Sequence, residues 1–468
     1  MNSLSKTPKA PEFFDVTVTG LSERGEGLCH WSPGEDQPSK TLAVPYALPQ
    51  EIVTIHPITR QRGGIEGRLH KIITASPDRQ PASCRHFGEC GGCAVQHMSA
   101  DAVENLKINR VTAALARYGV RIDHLPTPSY NVSQQGERRR AVFSAHVPKF
   151  GGGLQLGFNK RAQHVLVDLT ECPVMHPSIL ALLPPLRLAL AKILHPGMSA
   201  DCLVTVTQSG LDLVIRGLGL GIQGKKGRGK RRFGEIGLSE REALADLARS
   251  QNLARLIWHG AGGRPELIAE QFVPVMVFAG IAVKFPPGGF LQATPSGEAM
   301  ILAALLNGLP KITAQAGCHL VELFSGLGSF TLPLVQAGYK VTAFEGDAAA
   351  VGALSAAINL AAMTRSVQAN ARDLASDPLS GDEIKKFDIL VLDPPRSGAI
   401  EQIRQIPPPN LAGQLRHIAY ISCDAESFAR DAAILQQNGY RLQKLEVIDQ
   451  FLWSAHVELV AHFSGEKI

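Results

Sequence analysis

The chain has 468 residues, of which 45% are hydrophobic and 19% are charged. That length predicts two or three domains, and the composition predicts a globular protein with an ample core. No apolar run approaches the roughly twenty residues of a membrane span. Residues 1–14 also lack an apolar stretch of signal-peptide length. We therefore expect a cytoplasmic protein that contacts no membrane.

Eight cysteines and two basic clusters are the other compositional features. In a reducing compartment, cysteines serve more often as metal ligands or catalytic groups than as disulfides. The net charge is only +5, but basic side chains are concentrated in the arginine run Arg138–Arg140 and in the glycine-rich segment 225–232. Such clusters suit phosphate binding, although a solvated loop explains the second one equally well.

The N-terminal part of the chain predicts a small β-barrel. Residues 1–12 are polar and contain proline, which predicts a disordered tail. Residues 13–72 then show short strand-like segments, including 41–46 and 51–55, separated by glycine turns. This pattern predicts a barrel of the OB type, a frequent nucleic-acid binder. A purely structural barrel would show the same pattern.

Three cysteines follow the predicted barrel with metal-ligand spacing. Cys84, Cys90 and Cys93 form C-x5-C-x2-C, and paired glycines let the backbone turn around a bound group. Cys172 precedes a proline and is the candidate fourth ligand, since Cys-Pro also closes ferredoxin-type motifs. An iron–sulfur cluster is favoured. The alternatives are free thiols and a four-cysteine zinc site, which usually pairs two C-x2-C knuckles.

The remainder predicts a central domain and a C-terminal domain. Residues 73–282 mix strand and helix patterns, so we expect an α+β domain. Its helix at 101–118 ends at Gly119 and could dock on the C-terminal domain. From residue 283 to 468, strands alternate with helices, which predicts an α/β domain with a doubly wound, Rossmann-like parallel sheet.

Polar residues follow the predicted strands of that sheet. The first strand, 319–324, leads into the G-x-G turn of 325–329, where a cofactor can approach the backbone. The second strand ends at Glu345, whose spacing suits the ribose hydroxyls of a nucleoside cofactor. The turn and the acid together fit NAD as well as S-adenosylmethionine.

Three further strands of the sheet are predicted to end at Asp373, Asp393 and Cys423. The carboxyl ends of parallel strands border the crevice in which such sheets bind ligands. Two prolines stiffen the loop after Asp393, and a helix is predicted to begin near Ser427. A lone cysteine is more often buried and inert than catalytic. Cys423 is a candidate functional residue only because these neighbours occur at the ends of the same predicted sheet.

Taken together, these motifs resemble the uracil-C5 RNA methyltransferase family, which makes 5-methyluridine in ribosomal and transfer RNA. The similarity covers nearly the whole chain. It is greatest to the branch with an N-terminal TRAM domain and an iron–sulfur cluster, which includes 23S ribosomal RNA enzymes. The matching segments are the barrel-like start, the cysteine motif with Cys172, the arginine run, FPPGGFLQ at 285–292, ELFSGLG at 322–328, DPPRSGA at 393–399, SCD at 422–424 and HVE at 456–458.

The resemblance implies a role for each matching residue. Those implied to contact S-adenosylmethionine are Gln292, Phe324, Glu345, Asp373 and Asp393. Cys423 is implied to be the nucleophile and Glu458 the base. A [4Fe-4S] cluster is implied on the four cysteines 84, 90, 93 and 172. We expect that cluster to be structural or to shape RNA, with no redox role in the methylation.

The chain departs from the family pattern in two loops. Ser325 and Ser329 stand where the family usually has cysteine and asparagine, and Asp424-Ala425 stands for asparagine and proline. The cofactor loop should tolerate small polar changes. Asp424 has a larger consequence, because a carboxylate close to Cys423 would raise the pKa of its thiol.

The chemistry explains the implied roles. C5 of uracil is a poor nucleophile, so a thiolate must first add at C6 and make C5 enolate-like. After C5 has taken the methyl group, a base removes the C5 proton and the thiolate is eliminated. The uridine must be unstacked or flipped, and the barrel and the arginine run would hold nearby phosphates. Ribosomal RNA is the favoured substrate, transfer RNA the alternative, and a monomer the simplest state.

Two other functions remain open on the sequence alone. An amino-group methyltransferase acting on adenine or guanine would share the fold but need no cysteine nucleophile. An RNA-binding assembly factor with a decayed active site would also fit, and the Asp424-Ala425 departure favours it slightly. The presence of every implied catalytic and cofactor residue argues against decay.

Overall fold

A computed structural model describes residues 13–32, 39–59, 65–218, 236–260, 263–310 and 318–465. The predicted tail 1–12 and the basic segment 225–232 lie outside the described residues. The chain divides into two compact units. One comprises Met1–Arg110 with Trp453–Ala455, and the other comprises Val111–Leu452 with His456–Ile468. The finer domain boundaries at residues 72 and 282 stay a prediction.

The first unit contains a closed β-barrel. Its strands β1 to β5 span Phe14–Leu21, Gly27–Trp31, Lys40–Val44, Ile52–Thr59 and Ile65–Thr74. They close in the order β1-β2-β3-β5-β4. Alternate residues such as Val16 and Val18 face inward and form the barrel core, as expected for strands with one solvated face. The closed barrel is consistent with the predicted OB type.

A long helix joins the two units along the chain. Helix α1 spans Ala100–Arg117, which confirms the predicted helix at 101–118. Its predicted apolar positions are buried: Val103, Leu106, Val111 and Leu115 are each at most 8% exposed. In the second unit, Arg117 at its end contacts Glu426. None of the helices within the described ranges is long and apolar enough to cross a membrane.

A seven-stranded sheet forms the first part of the second unit. Strand β6, Ser129–Val132, precedes these strands along the chain and belongs to a separate eight-stranded sheet. The seven strands, β7 to β13, are Arg140–His146, Gln155–Asn159, Leu166–Asp168, Ser199–Thr207, Gly210–Leu218, Arg255–His259 and Glu266–Glu270. Their order is β13-β12-β11-β10-β7-β8-β9. Helices α2, Pro177–Leu190, and α3, Leu238–Ser250, pack on this sheet, and the hairpin β14–β15, Val275–Phe278 and Ile281–Lys284, follows it.

An eight-stranded sheet forms the rest of the unit. Its strands β16 to β22 are His319–Leu323, Lys340–Glu345, Val367–Ala371, Ile389–Leu392, His417–Ser422, Tyr440–Asp449 and Glu458–Gly465. The helices α4 to α9 are Pro295–Gly308, Thr331–Gln336, Ala348–Leu360, Gly381–Ile384, Ile400–Ile403 and Ala425–Gln437. The strand order is β18-β17-β16-β19-β20-β22-β21-β6.

This sheet confirms the predicted doubly wound arrangement. β16 to β20 are parallel, whereas β22 runs antiparallel to both β20 and β21. Every residue of β19 and β20 is buried, because helices cover both faces of a parallel sheet and its inner strands are apolar throughout. The order reverses between β16 and β19, which places a ligand crevice beyond the carboxyl ends of those strands.

Candidate active site

The loop after β16 has the backbone shape of a ligand-binding turn. Gly326 and Gly328 take φ of +55° and +85°, and Phe324 takes +64°, which is rare for a residue with a side chain. Such conformations cluster at ligand sites. A Cβ at Gly328 would lie 2.6 Å from Leu354 Cδ1, so any other residue would force this side chain of α6 to shift and would also have to adopt the positive φ. A Cβ at Gly326 would meet open space.

Glu345 ends β17 and fixes this turn from the neighbouring strand. One carboxylate oxygen accepts the Gly326 N–H at 2.8 Å and the other accepts the Asp347 N–H at 2.8 Å. The carboxylate is half-buried, and each oxygen keeps a lone pair that could accept a hydroxyl. Asp373 follows β18 and is exposed, and its hydrogen bonds with Ser376 and the Ala375 N–H lower its pKa.

A chain of buried amides connects three predicted site residues. Gln292 donates to Asp393 at 3.2 Å. Gln450 lies just beyond β21 and uses Nε2 to donate to Gln292 Oε1 at 2.7 Å and to Glu458 Oε2 at 2.6 Å. The side-chain oxygen of Gln450, Oε1, accepts the Ala293 N–H at 2.9 Å. The predicted base and a predicted cofactor residue therefore share one hydrogen-bond donor.

Three carboxyl groups of the crevice have raised pKa values. Burial raises the pKa of Glu458 to about 8, with Asp393 adding to the shift and the hydrogen bond from Gln450 opposing it. Burial and nearby Glu345 raise the pKa of Asp393 to about 7. Glu322, inside β16 and hydrogen-bonded to the Thr331 hydroxyl at 2.6 Å, has its pKa raised to about 8 by burial. Neighbouring carboxylates resist ionising together, so some of these three carboxyl groups remain protonated near neutral pH.

Cys423 lies between β20 and α9 and is half-buried. Burial raises the pKa of its thiol to about 12, and Glu458 and Asp393 add to the shift. Arg396 opposes it, and Asp424 makes the smallest contribution. The departure at Asp424 therefore acts in the expected direction but weakly. In the protein without substrate, the thiol is protonated near neutral pH.

Asp424 has a structural task of its own. Its side chain caps α9 by accepting the Ser427 N–H at 3.0 Å. The helix thus begins at Ala425, two residues after Cys423 and slightly earlier than predicted. An N-cap carboxylate satisfies a helix N–H that would otherwise lack a partner, and the positive end of the helix dipole lies beside the thiol.

The loop of DPPRSGA is anchored to α9 by a buried carboxylate. Asp431 is fully buried and accepts the Tyr420 hydroxyl at 2.7 Å and the Ala399 N–H at 2.8 Å. It also pairs with Arg430, whose guanidinium donates to the Ser397 carbonyl at 2.9 Å. These bonds fix the loop that presents Arg396, whose side chain contacts the ring of His456.

The cysteine loop belongs to the first unit. A turn closes within it through the Cys90 N–H and the His86 carbonyl at 2.9 Å. Burial raises the pKa of the Cys90 thiol, and the Gly92 N–H, which donates to Cys90 Sγ at 3.4 Å, opposes that shift. Within the described parts of the chain, no three His, Cys, Asp or Glu side chains converge to hold a metal ion.

Comparisons with known proteins identify the family of this chain. A family model described as tRNA (uracil-5-)-methyltransferase matches residues 280–464. An "Uncharacterized RNA methyltransferase" of Caulobacter vibrioides is 34% identical over 452 residues, which cover 96% of this chain and 99% of the relative. The 23S rRNA (uracil(1939)-C(5))-methyltransferase RlmD of Halomonas elongata is 32% identical over 465 residues, 95% of this chain and 88% of the relative. The chain belongs to the uracil-C5 RNA methyltransferase family.

A solved structure of similar fold supports the architecture. The Pyrococcus abyssi tRNA (uracil-54, C5)-methyltransferase in complex with S-adenosyl-L-homocysteine matches with a TM-score of 0.68 and 16% identity. The match covers 96% of this chain and 99% of that one. At that identity the likeness shows the fold alone, which is the α/β fold of S-adenosylmethionine-dependent methyltransferases.

In this uracil-C5 methyltransferase, the strand-end residues were predictable from the sequence, whereas the side chains that hold them in place were not. Gln450, Glu322 and Asp431 had no predicted role, and Arg396 was noted only as part of its motif. Gln450 follows directly on a strand, as the predicted site residues do, so its position was a usable signal. The burial of Glu322 and Asp431 depends on packing that no local pattern reveals.

The predicted phosphate role of the arginine run is wrong for Arg139. That side chain is buried, pairs with Glu298 at 2.6 Å and donates to the Gln292 carbonyl at 3.0 Å. A buried guanidinium whose charge is already neutralised by Glu298 is poorly placed to bind a phosphate from solvent. Arg139 instead fixes the backbone of Gln292.

Proposed function

We propose that this enzyme methylates C5 of a specific uridine in 23S ribosomal RNA through a covalent adduct between Cys423 and C6 of the base. The observation that supports this most is that Glu458, Asp393 and Arg396 lie close enough to Cys423, at one edge of the sheet, for their charges to shift the pKa of its thiol. An amino-group methyltransferase would need neither the thiol nor a buried base beside it. The relative from Halomonas elongata favours ribosomal over transfer RNA.

In this mechanism, Cys423 acts as the nucleophile. Its proton must pass to solvent water before attack, because burial keeps the half-buried thiol neutral in the free protein. Arg396 and the N-terminus of α9 stabilise the thiolate once it forms. The thiolate adds to C6 of the uracil, and the ring electrons move to C5 and the C4 oxygen. Arg396 is a positioning and electrostatic residue in this step.

Glu458 acts as the base after methyl transfer. S-adenosylmethionine, when bound, supplies an electrophilic methyl group to C5. Glu458 then removes the C5 proton, and the resulting electron pair expels the Cys423 thiolate from C6. A pKa of about 8 suits this task, because a base works best when its pKa lies near the working pH. Gln450 holds the carboxylate in place through the 2.6 Å hydrogen bond.

The cofactor site is proposed around the G-x-G turn. Open space beside Gly326 and the half-buried carboxylate of Glu345 fit a nucleoside whose ribose hydroxyls donate to that carboxylate. Phe324 and Gln292 border the same crevice through their strand and loop positions. Asp393 is proposed to contact the cofactor from the next strand, and exposed Asp373 from the sheet's outer side.

We further propose a [4Fe-4S] cluster on Cys84, Cys90, Cys93 and Cys172. Four cysteine thiolates hold such a cluster, each bound to a different iron. The Tyr46 hydroxyl is buried without a hydrogen-bond partner and is electrostatically coupled to Cys90 and Cys93. An unsatisfied donor in that position fits a missing acceptor, which cluster sulfides and thiolates would supply.

Metal analysis of protein purified without oxygen tests the cluster. We expect iron and acid-labile sulfide in equal amounts in the wild type, and their loss in Cys93→Ser. The matched control is Cys318→Ser, which changes a half-buried cysteine of the second unit. Zinc in place of iron would support the structural-zinc alternative, and no metal at all would support free thiols.

Intact-mass analysis of Glu458→Ala tests the covalent mechanism. The variant is incubated with S-adenosylmethionine and total RNA from cells that lack the enzyme. We expect a protein–RNA adduct, since methyl transfer proceeds but elimination does not. The adduct should disappear in Glu458→Ala with Cys423→Ala and persist in Glu458→Ala with Cys318→Ala.

Sequencing the trapped RNA identifies the substrate. A 23S ribosomal RNA fragment supports the proposal, and a transfer RNA fragment would replace it with the alternative. If no adduct forms and the wild type adds no 5-methyluridine to this RNA, the chain functions as an RNA-binding assembly factor instead. An active Cys423→Ala enzyme would favour amino-group methylation.

A further inference from the structure

The loop between β21 and β22 leaves the second unit and returns to it. Its tip, Trp453–Ala455, belongs to the first unit, whereas the residues on both sides belong to the second. Gln450 lies three residues before this tip and Glu458 lies three residues after it. The β21–β22 ladder ends at the pair of Ile448 with Glu458, so Gln450 lies beyond the ladder. The chain on either side of the tip therefore carries two side chains of the active site.

The start of the tip is held by the backbone that follows the cysteine loop. The Trp453 carbonyl accepts the Ala94 N–H at 2.8 Å and the Val95 N–H at 3.0 Å. These two donors come directly after Cys93 in the chain. Trp453 takes φ of +61°, a conformation that a residue with a bulky side chain keeps only where its surroundings impose it. The tip therefore has a restrained backbone, with both lone pairs of its first carbonyl in use.

Apolar packing makes the support of these donors rigid. Val95 is fully buried. A Cβ at Gly25, in the turn between β1 and β2, would lie 2.6 Å from Val95 Cγ1, so Val95 has little room to move. The first unit has a small core at this point, against which Ala94 and Trp453 pack, and its members are Leu48, Val95, Met98, Val103 and Leu106.

Arg110 of α1 holds the other end of the tip. Its guanidinium donates to the Ala455 carbonyl, and the same nitrogen, Nη1, lies 3.4 Å from the Glu23 carbonyl. A hydrogen bond from a charged donor is about twice as strong as one between neutral groups. The first and last carbonyls of the tip are thus both bound within the first unit.

We propose that Arg110 and the N–H groups of Ala94 and Val95 are positioning groups for removal of the C5 proton. This inference rests on the proposed function, in which Glu458 is the base and Gln450 holds its carboxylate. Three residues span at most about 10 Å, so a displaced tip also displaces Gln450. A misplacement of about 1 Å can slow a catalysed step by about 100-fold.

The anchor gives the cysteine loop an effect on catalysis that needs no redox chemistry. Cys93 precedes the two donors that bind the Trp453 carbonyl. A group bound to Cys93 would therefore fix the backbone from which those donors project. The effect reaches the active site through the chain itself, because the residues after the tip lead directly to Glu458.

Hydrogen exchange of the full-length protein tests the anchor. Arg110→Met keeps an unbranched side chain but removes the donors to the Ala455 carbonyl. We expect the amides of residues 450–458 to exchange about 10-fold faster than in the wild type, because one charge-assisted hydrogen bond is lost. Arg249→Met is the control: Arg249 is an exposed arginine of α3 paired with Asp246, and its variant should match the wild type. Unchanged exchange of residues 450–458 in Arg110→Met would overturn the anchor.

Methylation kinetics of the same variants test the positioning role, with RNA that lacks 5-methyluridine as substrate. For Arg110→Met we expect kcat to fall by about 10-fold while KM for RNA stays within about 2-fold of the wild type. A protein–RNA adduct should accumulate on denaturing gels, because proton removal has become slow. Arg110→Lys keeps a charged donor and should restore most of kcat. A lower thermal midpoint or weaker RNA binding without any adduct would overturn the positioning role.

Glu458→Ala separates failure of this inference from failure of the proposed function. If Glu458→Ala forms the adduct but Arg110→Met forms none and turns over like the wild type, Arg110 does not position the base. If Glu458→Ala forms no adduct while residues 450–458 still exchange faster in Arg110→Met, the covalent mechanism is wrong and the anchor stands. Arg110→Gln, which keeps neutral donors, gives the same comparisons if Arg110→Met does not fold.

Discussion

Replacing Gln450 by leucine should move the pH dependence of catalysis. The change removes a donor that lies 2.6 Å from Glu458 Oε2 and 2.7 Å from Gln292 Oε1. Leucine has a similar volume but no polar atom, so the cavity stays filled while both acceptors lose their partner. The hydrogen bond from Gln450 holds the pKa of Glu458 below the value that burial alone would give.

The size of the shift follows from the strength of that bond. A hydrogen bond to a charged group contributes about 1.5–3 kcal/mol, and about 1.4 kcal/mol corresponds to one pKa unit. The protonated acid keeps part of the bond, so the difference between the two states is near the lower figure. We expect the pKa of Glu458 to rise by about one unit above its starting value of about 8. Turnover at neutral pH should fall by about 10-fold and recover at higher pH.

The assay follows methyl transfer from S-adenosylmethionine to RNA that lacks 5-methyluridine, across pH. Denaturing gels of the same reactions report the protein–RNA adduct, which should accumulate in Gln450→Leu at neutral pH because proton removal is slow. Gln443→Leu is the matched control: Gln443 lies on β21, is exposed and donates to the Ser464 hydroxyl at 2.8 Å. A profile for Gln450→Leu that superimposes on the wild type, with no adduct, would refute the reasoning.

Three other variants follow from the structure. Asp431→Ala should lower the free energy of unfolding in urea by about 3–5 kcal/mol, because it leaves buried donors unpaired; a loss below about 1 kcal/mol would contradict this. Asp424→Asn should keep the α9 cap and only slightly speed alkylation of Cys423 by iodoacetamide, since Asp424 contributes least to its raised pKa; a rate increase of about 10-fold or more would mean that this contribution is large. Buried His417 and His462 share a 2.9 Å hydrogen bond, and burial lowers their pKa values to about 3 and about 4. The unfolded chain therefore binds more protons than the folded protein below about pH 6.5. As the pH is lowered, the free energy of unfolding should decrease by up to about 1.4 kcal/mol per pH unit for each histidine. In His462→Gln, the number of protons taken up on unfolding between pH 6.5 and 4 should be smaller by about one. An unchanged slope of the free energy of unfolding against pH would contradict this assignment.

The sequence alone predicted which residues lie at the ligand edge of the parallel sheet. Glu345, Asp393 and Cys423 each follow an apolar strand, and the carboxyl ends of parallel strands meet at one edge of a sheet. The barrel, the long helix and the glycine turn were likewise predictable, because each depends on short-range periodicity and backbone preference. For these features the local pattern and the final fold agree.

Only the tertiary structure decided how those groups are paired and charged. Arg139 and Arg140 are neighbours in sequence, yet one is neutralised by Glu298 and the other has a buried Nε without a hydrogen-bond partner among the described residues. Strand alternation predicts opposite faces, but which face is covered depends on distant segments. The raised pKa of Glu458 depends in the same way on burial and on Gln450, which returns to the site from another strand. Burial and electrostatics are properties of the packed chain, and no local window contains them.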